Sequence, residues 1–292
     1  MDISGKIRSA AQLCRAVLNK GRQQTTEDIT DRGERITPDY RNWGYYAHLS
    51  IYSFCGAFVA GARVLDAGCG AGYGCSSLMG SGAKSVVGVD ISEKAVRFAS
   101  SRYAAPGLSF RVMDLCRPDQ AVPDSWDVVF CNIGEHLPDV EAFLDFCRRS
   151  LSPQGMLLLA VPALATPGIL EGNMRNPYHI THLPPKGWLT KLGRYFDSVQ
   201  GFRHWVAPEW LEPNGIPGGM ELSPEETRIR ETDFRFIPAT PDELNVEAYN
   251  IGLVSVSRQP RPAVLEPAGD ESAFPEDWDV EAMKQRVAAS RA

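Results

Sequence analysis

Residues 63–74 read Arg-Val-Leu-Asp-Ala-Gly-Cys-Gly-Ala-Gly-Tyr-Gly, and residues 86–90 read Val-Val-Gly-Val-Asp. The first stretch is an apolar run that enters a glycine turn too tight for side chains. The second is another apolar run, closed by a carboxylate. A strand, a glycine turn, a helix and a second strand ending in an acid form the layout of a nucleoside-binding βαβ unit. The spacing also discriminates between nucleosides. A dinucleotide pyrophosphate is held by G-x-G-x-x-G, whereas the glycines here fall at 68, 70, 72 and 74. Counted from Gly68 and Gly70, the third glycine position holds Tyr73; counted from Gly70 and Gly72, it holds Cys75. Asp66, inside the motif, would face a pyrophosphate with like charge, which disfavours a dinucleotide oxidoreductase.

A ligand with a cationic group beside its carboxylate suits this motif better. S-adenosylmethionine is such a ligand: its amino group can meet acidic or carbonyl acceptors while its carboxylate approaches backbone N–H groups near the helix start. Asp90 has two oxygens for the two ribose hydroxyls. Asp66-Ala-Gly68-Cys-Gly70-Ala-Gly72, Asp90, Asp114-Leu115 after the third strand and Asn132 after the fourth resemble the cofactor motifs of class I S-adenosylmethionine-dependent methyltransferases, over about residues 33–258. The resemblance implies that Gly68, Gly70 and Gly72 cradle the methionine end, that Asp90 holds the ribose, and that Asp114 with Leu115 meets the adenine. Asp66, Ile91 and Asn132 complete the expected cofactor set.

Composition bounds the rest. A chain of 292 residues, 43% hydrophobic, can bury one substantial α/β core with material left for a lid or tail. A net charge of −6 argues against a general nucleic-acid or anionic-membrane binder. Seven cysteines without a C-x-x-C pair read as small buried hydrophobes in a reducing compartment, with Cys69, Cys116, Cys131 and Cys147 in or beside core elements. No apolar run reaches membrane-spanning length, and residues 1–20 lack a signal peptide's continuous apolar stretch. A cytoplasmic protein acting on a small molecule is the expectation; the oligomeric state is not legible.

The periodicity predicts an α/β fold with a Rossmann-like, doubly wound, mostly parallel seven-stranded sheet. Strands are expected at 63–67, 85–89, 108–112, 126–131 and 156–161, with an antiparallel edge at 196–205 and 248–257, and helices at 73–79, 93–103 and 138–151. Ser92 is the expected cap of the second helix, and Pro162 the end of the fifth strand. Residues 1–60 read as an N-terminal helical lid, with Ile3, Ile7, Ala10, Cys14, Val17 and Leu18 at helical spacing and an aromatic-rich segment at 40–49. The methyltransferase domain proper spans 61–258, with a long loop at 163–185 and an insertion at 206–246. Residues 259–292 read as a flexible tail with a helix-prone end.

Two polar clusters follow strands whose carboxyl ends should carry the site. Asn132-Ile-Gly-Glu135-His136 comes after the fourth strand and Asn176-Pro-Tyr178-His179-Ile-Thr-His182 after the fifth. Methyl transfer to a hydroxyl needs alignment and a proton acceptor, and His136 and His179 are the candidates, each with a packing role as its alternative; His179 is favoured, since a loop residue after the fifth strand can reach over the acceptor, whereas His136 adjoins a helix start. The clusters are similar to those of methyltransferases acting on sugars, polysaccharide precursors and small hydroxylated metabolites, including the ubiquinone-pathway enzymes; Gly33-Glu34-Arg35 with Tyr46 and His48 resembles the sugar-associated members. Some of these relatives carry a Glu-x-x-Glu-His metal cluster. Here Asn132 replaces the first carboxylate, while Glu135, His136, His179 and His182 remain, so a divalent metal is not favoured. The expected activity is S-adenosylmethionine-dependent O-methylation of a hydroxyl on a sugar, glycan precursor or secondary metabolite. An N-methyltransferase for a small amine and a non-catalytic cofactor-binding protein are the alternatives.

Overall fold

A computed structural model describes residues 29, 35–39, 41–117, 125–207, 228–245, 250–262, 271 and 273–290. The helical spacing at 3–18 and part of the insertion therefore lie outside the described residues.

Among the described residues eight strands form one sheet: β1 (Arg63–Ala67), β2 (Ser85–Asp90), β3 (Leu108–Val112), β4 (Trp126–Cys131), β5 (Leu151–Pro162), β6 (Phe196–Val206), β7 (Phe234–Ala239) and β8 (Asn250–Pro260). Their order is β3-β2-β1-β4-β5-β8-β6-β7. The first five run parallel, with Asp66 beside Gly88 of β2 and Phe130 of β4. β8 inserts antiparallel between β5 and β6. Val64, Leu65, Val129, Leu157 and Leu158 have no solvent exposure, as expected for strands covered on both faces.

Among the described residues seven α-helices flank the sheet: α1 (Trp43–Cys55), α2 (Tyr73–Gly80), α3 (Glu93–Tyr103), α4 (Val140–Ser150), α5 (Pro167–Arg175), α6 (Pro185–Gly193) and α7 (Val280–Ser290). Their starts follow from capping side chains. Asn42 accepts from Tyr45 N, Ser92 from Ala95 N, Asp139 from Ala142 N and Thr166 from Ile169 N. Pro167 opens α5, where its missing N–H costs no intrahelical bond. That helix lies within the segment expected as a loop.

The sheet has one strand more than the seven expected. β7 comes from the insertion and pairs antiparallel with the outer side of β6. Its sequence, Phe-Arg-Phe-Ile-Pro-Ala, alternates only briefly and contains Pro238, which an outermost strand tolerates. Phe234 packs edge-on against Trp43, and Phe236 stacks on Phe54. The 259–292 segment contains a packed element: Met283 and Val287 of α7 join Leu164, Leu170 and Met174 in a small core, and Arg286 pairs with Glu171 at 2.6 Å. All six described cysteines are free thiols. Among the described residues no helix is long and apolar enough to cross a membrane.

Candidate active site

The strand order reverses between β1 and β4, and ligands in such sheets bind beyond the carboxyl ends of the strands at that point. A cavity of about 650 Å³ lies there. Its wall takes Gly68–Ala71 after β1, Asp90 and Ile91 at β2, Met113–Cys116 after β3, Asn132, Ile133 and Glu135–Pro138 after β4, and Pro162 with 177–180 beyond β5. Arg35, His48 and Tyr52 close it from the N-terminal side.

The turn after β1 is held by its own backbone. Gly68 N and Cys69 N both donate to Val89 O at 2.8 Å, and Gly72 N donates to Cys69 O at 2.9 Å. Gly68 has φ +90°, and a Cβ there would lie 2.6 Å from Ile133 Cδ1, so only glycine fits. At Gly70 a Cβ would meet nothing within 4 Å, which leaves an open cradle where the methionine end of the cofactor is expected. Asp90 Oδ1 accepts from Ser92 N at 2.9 Å and Arg35 Nη2 at 3.2 Å, and its Oδ2 accepts from Gly70 N at 3.0 Å. Asp114 accepts from Cys116 N at 3.0 Å and pairs with Arg117. Ile91, 63% exposed between these carboxylates, offers an apolar face to a base. Leu115, 7% exposed, also lines the wall.

Asp66 departs from the expectation of a direct cofactor contact. It is completely buried, accepts from Tyr52 Oη at 3.2 and 3.4 Å and from Cys75 Sγ at 3.0 Å, and lies behind the cavity wall that Tyr52 helps to form. Burial pushes its carboxyl up to about 7; the bonds from Cys75 and Tyr52 oppose that rise.

On the acceptor side the two polar clusters converge. Ile180 N and Thr181 N both donate to Glu135 O at 2.9 Å, so the loop after β5 is stitched to the turn after β4. His136 joins the stitch through Nδ1, 2.9 Å from Tyr178 O. A carbonyl only accepts, so Nδ1 carries the proton and the neutral ring has its lone pair on Nε2, 3.8 Å from Glu135 Oε1. The His136 and His179 rings meet edge to face at 4.8 Å. Glu135, His136 and His179 each place a ligand atom within 4.8 Å of the others. One carboxylate and two imidazoles fit zinc, manganese or iron better than magnesium, and an ion there would polarise an acceptor oxygen. Asn132 meets His48, with Nδ2 and Nδ1 3.3 Å apart. His182 belongs neither to the cluster nor to the cavity wall.

Of the wall residues His48 and Tyr52, His48 is reached from sequence only through the family resemblance and Tyr52 is not reached. They are four apart on α1 and so share a face. That spacing was the available signal. It was masked because the whole segment is aromatic-rich and α1 is buried nearly all round.

Residues 65–159 match the family model described as "Methyltransferase domain". The chain is 33% identical over 252 residues to a probable S-adenosylmethionine-dependent methyltransferase of Mycolicibacterium smegmatis, covering 78% of this chain and 94% of that protein. It is 35% identical over 111 residues to the ubiquinone biosynthesis O-methyltransferase of Neisseria meningitidis, covering 36% of this chain and 45% of that enzyme. Among solved structures, a putative methyltransferase in complex with the Haloferax volcanii Trm112 activator superposes with a TM-score of 0.52 at 21% identity, over 77% of this chain and 92% of that one, a likeness of fold. With a glycine cradle, a carboxylate at the end of β2 and relatives that extend over most of its length, this chain belongs to the S-adenosylmethionine-dependent methyltransferases.

Proposed function

We propose that the protein methylates a hydroxyl group of a small molecule such as a sugar, glycan precursor or secondary metabolite, with His136 as general base. The observation that carries this reading is the His136–Tyr178 bond. It fixes the tautomer that leaves Nε2 basic, inside the cavity that also contains the glycine cradle and Asp90. The cofactor supplies an activated methyl group on a sulfonium. The chain aligns the acceptor oxygen behind it, takes the hydroxyl proton on His136 Nε2 and stabilises the resulting imidazolium with Glu135. His179, edge-on to His136, confines the acceptor from the loop side. The similarity to ubiquinone biosynthesis O-methyltransferases supports a hydroxyl acceptor, although it extends over only a third of the chain.

A second reading is favoured by the approach of Glu135, His136 and His179 within 4.8 Å. In it these residues hold a divalent ion, whose charge lowers the pKa of the acceptor hydroxyl. Acceptor profiling tests the main reading. Labelled S-adenosylmethionine is offered with hydroxylated sugars, phenols and matched amines. Label is expected on oxygen; methylation of amines alone overturns the assignment.

A further inference from the structure

The buried Asp66 sits at the first position of the glycine motif yet makes no wall of the cavity, and the residue between them is Tyr52. Its ring lies under the first turn of α2. A Cβ added to Gly74 would stand 2.0 Å from Tyr52 Cζ, so the fourth glycine of the motif is the space that the phenol occupies. Phe130 and Tyr73 pack against the same ring at 4.6 and 5.9 Å. Tyr52 is only 5% exposed, and its hydroxyl reaches both oxygens of Asp66. The phenol is therefore fixed in position, and with its proton directed at a carboxylate its oxygen presents a lone pair elsewhere.

From this geometry we infer that Tyr52 is the binding residue for the ammonium group of the cofactor's methionine end, and that Asp66 is a positioning residue acting through it. The inference rests on the cofactor reading above. The ammonium donates to Tyr52 Oη, Tyr52 donates to Asp66, and the chain ends on a carboxylate bonded also by Cys75 Sγ at 3.0 Å. A cation at the phenol favours the ionised form of Asp66, whereas burial alone favours the protonated one. Burial likewise holds the Tyr52 phenol well above its usual range, so it stays a donor to Asp66.

The test compares three ligands by calorimetry: S-adenosylhomocysteine, its deaminated analogue that keeps carboxylate, sulfur and adenosine, and 5′-methylthioadenosine, which lacks the amino-acid end. Wild type is expected to prefer S-adenosylhomocysteine over the deaminated analogue by roughly tenfold or more, as for a charge-assisted hydrogen bond. Tyr52→Phe should shrink that preference to about threefold or less while binding 5′-methylthioadenosine as wild type does, which also reports an intact site. Asp66→Asn should shrink it too, and this variant decides the matter if Tyr52→Phe loses 5′-methylthioadenosine. A full preference retained in the variants, or absent from wild type, overturns the inference and leaves the cofactor reading standing. Wild type that binds none of the three ligands overturns both.

Discussion

Arg35 places a guanidinium nitrogen 3.2 Å from Asp90 Oδ1, with both side chains almost fully withdrawn from solvent. Arg35 also donates to Ile29 O at 2.9 Å, so the pair ties the segment before α1 to the end of β2. Asp90 thereby accepts from three donors: Arg35, Ser92 N and Gly70 N. A carboxylate has about four acceptor directions, and two ribose hydroxyls would exceed them. Of the three donors only Arg35 is a side chain. Cofactor binding should therefore draw Arg35 aside while the two backbone bonds keep the carboxylate aimed.

Asp90→Ala should weaken S-adenosylhomocysteine binding by about 2–4 kcal/mol, the scale of two hydrogen bonds to a charged acceptor. Calorimetry at fixed ionic strength measures it. Affinity equal to wild type would move the ribose elsewhere in the cavity.

His136→Ala should lower the turnover rate constant by about 10²–10⁴-fold. Affinity for S-adenosylhomocysteine should barely change, because His136 faces the acceptor side. Gln at the same position also removes the base, so it should be equally slow and should lose the acidic limb of the pH–rate profile. His179→Ala should chiefly raise the acceptor KM. Near-native turnover of both His136 variants with that limb intact would assign the proton to another acceptor.

Stability should respond to pH through two buried groups that oppose each other. Burial, with a smaller contribution from His48, lowers the His204 imidazole from 6.5 to about 3. The neutral ring donates from Nε2 to Ser50 Oγ at 2.8 Å, since the Ser50 hydroxyl itself donates to Ala47 O at 2.7 Å. Between these values the unfolded chain binds the extra proton, so this contribution rises with pH. Asp66 does the reverse: folded, it keeps its proton up to about 7, against 3.8 ordinarily, so its contribution falls as pH rises through that window. Asp66→Asn removes the falling part. Relative to wild type, the variant should gain on the order of 3 kcal/mol between pH 4 and pH 7, read from urea unfolding at several pH values. A difference that stays flat would show that Asp66 is ionised throughout.

Activity should survive exhaustive chelation if His136 serves as the base. Loss of turnover that one divalent ion restores would make Glu135, His136 and His179 ligands instead.

The local chemistry of the strands and of the glycine turn was legible in the sequence. Residues 63–67, 108–112 and 126–131 form strands at their expected bounds, and Ser92 caps the helix it was expected to cap. These elements depend on neighbours in the chain: an apolar run, a tight turn, a side chain that bonds the next N–H. The position of Asp90 at the end of β2 was legible too, because it closes an apolar run in the chain. Tertiary structure alone decided the rest. Tyr52 reaches Asp66 across 14 residues of sequence, Ile180 reaches Glu135 from the loop after the neighbouring strand, and Arg35 reaches Asp90 across 55 residues. Such contacts depend on where whole helices and loops come to rest on the sheet. Asp66 shows the difference most directly: its place in the motif suggested a ligand contact, and the structure buries it behind Tyr52, a phenol from the preceding helix admitted by the space at Gly74.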